Sequence, residues 1–224
     1  MYPNVSIKHE SRVFLMEGYD ERDHIFNEWS NTQTFYEIPL LKKIQAMALE
    51  GCYVDAGANQ GNHTIFFSGF CPSSEIVAVE ASMDIAKLLK RNIANHVTTP
   101  CTLYEACLYS SDGLQAISPK GISPANCGST SFVVSYNEKG ESPTLMLDSV
   151  LTGKDVALIK IDVEGMERDV LIGTEKTITR CRPAIFAEAL SGQAKDSLDS
   201  FLNSFGYRHQ WTYYRTHLWT HQND

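Results

Sequence analysis

The chain has 224 residues, 43% of them hydrophobic, with 19 basic and 27 acidic side chains and a formal charge of −8. That length suits one domain able to bury roughly 70% of its unfolded surface, so a core needs neither disulfides nor a structural metal. The acidic balance argues against a nucleic-acid partner, which calls for a basic face.

Residues 1–32 are polar and weakly patterned, with one strand-like piece over Arg12–Met16. Phe35–Leu49 reads as a helix. Pro39 suits an early helical position, Leu40, Leu41, Ile44 and Ala48 share a face, and Gly51 reads as the stop. A strand ending at Asp55 follows, then a glycine turn and a helix over Thr64–Phe70. Glu75–Glu80 is apolar throughout its interior, as a parallel strand covered on both faces should be. Ser82 is placed to cap the next helix, where Ile85, Leu88, Leu89 and Ile93 recur at helical spacing. Thr102–Cys107 is a third strand.

The alternation breaks over residues 109–151, whose first part, to 143, is rich in Ser, Gly and Pro. With a strand-like Ser131–Val134, it reads as loops around a hairpin, a lid or substrate wall. Val156–Ile161 resumes the parallel pattern and ends at Asp162. The next helix carries Met166, Val170, Leu171, Thr174 and Ile178 on one side, with Pro183 beyond its end. Ala184–Ala187 is a strand ending at Glu188. Leu198, Phe201, Leu202 and Phe205 make one more amphipathic face, closed by Gly206. The aromatic tail, Tyr207–Trp219, reads as a terminal antiparallel pair.

Strands alternating with helices imply one α/β domain, 1–224, with helices on both faces of its sheet and residues 1–50 as an N-terminal extension and helix. Ligands bind such sheets at the carboxyl ends of strands, where Asp55, Glu80, Asp162 and Glu188 all fall. Complementarity to helix N-termini is the competing explanation for acids there. The six cysteines form no C-x-x-C pair, which argues against a zinc or dithiol site. No run of 18 apolar residues and no apolar leader occur. Free thiols in a reducing cytoplasm, without a membrane span, are therefore expected.

The densest signal is Val54-Asp55-Ala56-Gly57-Ala58-Asn59-Gln60-Gly61-Asn62-His63-Thr64. Its Asp-x-Gly-x-Asn-x-Gly order lacks the Gly-x-Gly-x-x-Gly of dinucleotide binders. The glycines let backbone approach a ligand, and the helix start favours an anionic group. With Val77-Ala78-Val79-Glu80 and Ile159-Lys160-Ile161-Asp162-Val163-Glu164-Gly165-Met166-Glu167, the chain resembles the FkbM family of class I S-adenosylmethionine (SAM) dependent methyltransferases over roughly residues 35–190.

The resemblance implies a Rossmann-like class I fold with a mostly parallel seven-stranded sheet, SAM as cofactor, and methyl transfer to a hydroxyl of a sugar, glycan or secondary metabolite. On this reading Asp55 faces the amino-acid end of SAM and orders the turn formed by Gly57, Asn59 and Gly61. Glu80, with Ala81 beside it, accepts hydrogen bonds from the ribose hydroxyls. Glu105, Ala106 and Cys107 form the adenine slot, against the simpler reading of a buried strand end. Asp162 positions the acceptor hydroxyl or contacts the SAM ammonium, and Glu164 serves as general base, against a bland role as helix-terminal charges. Glu188 is a third candidate. His63 is a near-neutral base or a packing residue. Glu37 reads as a solvated helix face.

A Mg²⁺ held by Asp162, Glu164 and Glu188 suits oxygen ligands, though no fixed spacing demands it. The tail rings Trp211, Tyr213, Tyr214 and Trp219 read as core or homo-oligomer packing ahead of a sugar-stacking surface. Two rival functions stay open: a SAM-binding module without catalysis, and a nicotinamide-dependent oxidoreductase.

Overall fold

The computed structural model describes residues 2–135 and 139–222; residues 136–138 of the expected lid lie outside them. The N-terminal segment is more ordered than its pattern suggests. Strands β1 (Asn4–His9) and β2 (Arg12–Glu17) pair antiparallel about Glu10, which sits in the left-handed region at φ 51°. Helix α1 (His24–Thr32) follows, and α2 spans Ile38–Met47. Gly51 is not its stop: Ala48 ends α2 in the left-handed region (φ 49°), and Gly51 opens the next strand. Ile7, Phe14, Met16 and Trp29 from this extension join Leu40, Leu41, Ile44, Phe66 and Phe67 in one apolar cluster.

The central layer begins with β3 (Gly51–Ala56), α3 (Asn62–Phe70), β4 (Ser73–Glu80), α4 (Met83–His96) and β5 (Cys101–Glu105). The third strand thus stops short of Cys107, because the chain there enters a small separate sheet. That sheet comprises β6 (Cys107–Leu108), β7 (Gln115–Ile117), β8 (Val133–Ser135) and β9 (Ser142–Leu145), in the order β6-β9-β7-β8. A single 3₁₀ turn covers Cys127–Ser129, and α5 (Leu147–Val150) leads back. Then come β10 (Val156–Ile161), α6 (Glu167–Ile172), α7 (Glu175–Cys181), β11 (Ala184–Glu188), α8 (Gly192–Ser204), β12 (Tyr207–Tyr213) and β13 (Thr216–His221).

The single helix expected after Asp162 is two helices. Gly173 packs so closely on the Tyr109 carbonyl that no side chain fits, and the Asp148 carboxylate accepts from the N–H groups of Lys176 (2.9 Å) and Thr177 (2.8 Å) at the start of α7.

The seven-stranded sheet runs β12-β13-β11-β10-β3-β4-β5, parallel from β11 to β5, with β13 antiparallel to both neighbours. Period-two alternation splits each central strand between two cores. Cys52, Val54, Ala56, Ile159, Ile161, Ile185 and Ala187 pack toward Val170, Ile178 and Leu202 on one face. Tyr53, Leu158 and Phe186 pack toward α2 and α3 on the other. The sheet is thus covered by helices on both faces, as a class I methyltransferase fold requires. Strand order reverses between β3 and β10, which opens a crevice at their carboxyl ends. No helix among the described residues is long and apolar enough to cross a membrane. All six cysteines are free thiols.

Candidate active site

A cavity of about 320 Å³ occupies that crevice. One end is built from the turn after β3 and the end of β4. Glu80 is 8% exposed and accepts from the backbone N–H of Asn59 (2.9 Å) and of Ser82 (2.8 Å). Burial raises its pKa, against the pull of those two amides. Gly57, Asn59, Glu80, Ala81, Ala106 and Cys107 all line this end. Burial pushes the Cys107 thiol up to about 12, so it is no nucleophile.

Three of the expected cofactor residues are absent from the lining: Asp55, Gly61 and Glu105. Period two directs Asp55 inward from β3, and it is fully buried beneath the turn. Thr64 Oγ1 donates to its Oδ2 at 2.6 Å. Its carboxylate thus binds the first turn of α3 without facing the cavity. Gly61 (φ 94°) opens α3 and lies against Leu89, where a Cβ would sit 2.9 Å from the leucine. Glu105 ends β5 opposite Glu80 and stays outside. Gly57 does line the cavity, but the space beside its α-carbon is filled by the Asp162 carbonyl oxygen rather than kept open for a ligand.

Lys160 is a residue the sequence reading passed over. It is 3% exposed, with Nζ 3.2 Å from Asp162 Oδ2 and 3.7 Å from Asp55 Oδ1. Burial works against its charge, but Asp162 and Asp55 outweigh that and hold its pKa above the ordinary lysine value. The available signal was a lysine inside an apolar buried strand, since such a charge needs a partner.

The other end of the cavity is acidic. Asp162, Glu164 and Glu188 each offer an oxygen within 4.8 Å of the others. Burial, then repulsion from Asp162 and the neighbouring glutamates, raises Glu164 to about 7 and Glu188 to about 8. The bland reading of Asp162 and Glu164 as charges on the next helix loses its basis, because α6 starts only at Glu167. Glu167 itself accepts from the N–H of Gly165 (3.0 Å) and Val163 (3.3 Å), and so fixes the loop. The oxygen set suits a hard cation such as Mg²⁺, but two of its members hold protons near neutral pH that a cation must displace.

His63, Glu37, Tyr36 and Arg215 complete this end. Glu37 is thus not a solvated helix face: its side chain is 16% exposed, with Oε2 3.3 Å from His63 Nε2. Three non-glycine residues of the lining, Glu37, Asn59 and Glu164, hold φ of 54°, 49° and 54°. Such conformations persist only where surrounding structure enforces them, and they gather at functional sites.

The 109–151 segment and the N-terminal extension form the roof. Asn126 to Thr130 and Phe132 line the cavity. Asp23, fully buried, ties roof to floor. Its carboxylate accepts from Cys127 N (2.9 Å), Gln60 Nε2 (2.7 Å) and the first amides of α1 at Ile25 and Phe26 (both 3.1 Å).

Residues 55–209 match the family model of the methyltransferase FkbM domain. A search of curated proteins gave no match. Among solved structures, the chain is similar to methyltransferase FkbM from Methylobacillus flagellatus KT, with TM-score 0.51 and 16% identity over 77% of this chain. It spans 44% of that protein's length. It is similar also to a ribosomal protein L11 methylase from Lactobacillus delbrueckii subsp. bulgaricus, with TM-score 0.51 and 10% identity over 82% of this chain and 75% of that one. A third likeness is precorrin 8w decarboxylase of Methanobacterium thermoautotrophicum, with TM-score 0.50 and 13% identity over 83% and 90% of the two chains. At these identities the structural likenesses speak for the fold. The family model, which takes in the turn after β3, Glu80 and the acids after β10, identifies the chain as a member of the FkbM methyltransferase family.

Proposed function

We propose that the protein is a SAM-dependent O-methyltransferase acting on a hydroxyl of a sugar, glycan or secondary metabolite. The observation that carries this reading is one cavity with two chemically different ends. At one end a buried carboxylate, Glu80, stands beside a glycine turn and the small residues Ala81, Ala106 and Cys107. That suits a ribose diol, an amino-acid carboxylate and a flat base. At the other end Asp162, Glu164 and Glu188 cluster within 4.8 Å and can hydrogen-bond an acceptor hydroxyl.

The sulfonium of SAM supplies an activated methyl, so the protein's task is alignment of oxygen, methyl carbon and sulfur. Attack forms a C–O bond as the C–S bond breaks, and its electron pair returns to sulfur. The hydroxyl proton must leave to a group within hydrogen-bond reach. Lys160, paired with Asp162, holds that carboxylate in place beside the transfer.

Calorimetric titration with S-adenosylhomocysteine tests the reading. Micromolar binding is expected. Glu80→Ala should weaken it about 10- to 100-fold, the effect of losing a hydrogen bond to a charged group. A folded protein that does not bind the product, or a Glu80→Ala variant that binds it as tightly as wild type, would refute the assignment.

A further inference from the structure

Resting on the methyl-transfer reading above, we infer that Glu37 and His63 form a carboxylate–imidazole dyad that receives the acceptor's proton, with Glu37 as the residue that positions the ring.

His63 stands in the first turn of α3, two residues after Gly61, and is 6% exposed. Both it and Glu37 line the cavity. Its Nε2 is a buried polar atom without an aligned hydrogen-bond partner among the described residues, and Glu37 Oε2 lies 3.3 Å away. Long, misaligned contacts of this kind are usual in ligand-free sites and tighten when substrate binds.

Backbone structure brings the pair together. Asn62, next to His63, grips the residue before Glu37: Tyr36 N–H donates to Asn62 Oδ1 (2.9 Å), and Asn62 Nδ2 donates to the Tyr36 carbonyl (3.0 Å). Trp29 Nε1 fixes the same Oδ1 at 3.0 Å. Glu37 occupies the N-cap position of α2 at φ 54°, yet its side chain makes no capping hydrogen bond. A non-glycine residue avoids that conformation. Here the strain serves no helix cap, and the side chain goes to the imidazole instead.

The chemistry separates the imidazole from the neighbouring acids. Asp162, Glu164 and Glu188 crowd within 4.8 Å of one another and repel each other's charge, whereas the imidazole has a carboxylate of its own 3.3 Å away. A carboxylate on Nε2–H leaves Nδ1 with the lone pair. As the acceptor oxygen bonds to the methyl carbon and the C–S electron pair returns to sulfur, the hydroxyl proton passes to Nδ1. The resulting imidazolium is paired with Glu37 and releases its proton to water after product leaves.

The test reads the tautomer directly, by ¹⁵N NMR of the imidazoles at alkaline pH, with a His63→Gln sample to assign its signals. The Nε2–H form should exceed the Nδ1–H form by about tenfold or more, as a charge-assisted hydrogen bond requires. Glu37→Gln should reduce that ratio and Glu37→Ala should reduce it further. S-adenosylhomocysteine binding should stay within about twofold of wild type in both variants, since Glu37 lies at the acidic end. A dominant Nδ1–H form in the wild type, which needs no variant to observe, overturns the dyad. So does a ratio unchanged in both variants. Loss of product binding in the wild type would instead remove the methyl-transfer reading, so the two failures are distinguishable.

Discussion

Replacing Lys160 with methionine isolates the interaction on which the carboxyl ends of β3 and β10 depend. Lys160 is 3% exposed and Asp55 fully buried, and their charges face each other at 3.7 Å across adjacent parallel strands. Methionine keeps most of the volume but removes the charge. Among the described residues Asp55 then retains only Thr64 as a hydrogen-bond donor, and Asp162 loses its partner at 3.2 Å. Breaking a buried pair from one side costs about 3–5 kcal/mol, because an uncompensated charge is left inside. For a domain of this size that is a fall in melting temperature of about 6–20 °C. The double variant Lys160→Met/Asp55→Asn removes both buried charges while Asn can still accept from Thr64. It should recover to within about 1–2 kcal/mol of wild type. Reversible urea unfolding of the four proteins, with Asp55→Asn completing the cycle, measures the coupling. A Lys160→Met protein that melts within about 2 °C of wild type would refute the reasoning, as would a double variant no more stable than Lys160→Met.

The acidic end predicts how stability varies with pH. Glu164 and Glu188 are raised above their unfolded values, so their contribution is complete at low pH and is lost as pH climbs through about 7 and about 8. Melting temperature should therefore fall from pH 5 to pH 8.5. Glu188→Gln should flatten that fall and melt higher than wild type at pH 8.5; identical curves would contradict the repulsion. Gly57→Ala should cost at least about 3 kcal/mol, since a Cβ at φ 79° collides with the Asp162 carbonyl oxygen. A variant with unchanged urea midpoint would contradict that contact. Asp23→Ala removes an N-cap, costing about 0.5–2 kcal/mol, and frees the roof. Amide hydrogen exchange at residues 126–130 should accelerate in that variant; unchanged protection would show that the roof is held elsewhere.

The sequence alone determined the layers of this protein and the order of its central strands and helices. Those depend on local periodicity: Tyr53 and Asp55 turn to one face of β3, and Cys52, Val54 and Ala56 to the other. The solvent-averse stripes of α4 and α8 repeat the same argument at helical spacing. The turn from Gly57 to Gly61 and the acids at strand ends were legible for a related reason, since residues a few positions apart lie at one strand terminus.

The N-terminal hairpin was only half legible. Its turn has Glu10 rather than an Asn-Gly signal, and Val13 and Leu15 are exposed, which blurs the alternation. The break between α6 and α7 was hidden because its causes, Tyr109 and Asp148, lie elsewhere in the chain.

Tertiary structure alone decided who meets whom in the site. Asp23 reaches Cys127 across 104 residues, Lys160 meets Asp55 through the strand register, and Glu37 reaches His63 through the grip of Asn62 on Tyr36. Periodicity carries no information about such pairs, because it fixes the face on which a side chain sits and not its neighbour. The neighbour follows from sheet order and loop closure. In this chain the reversal of strand order at β3 and β10 brings the glycine turn, Glu80 and the Asp162 cluster to one crevice.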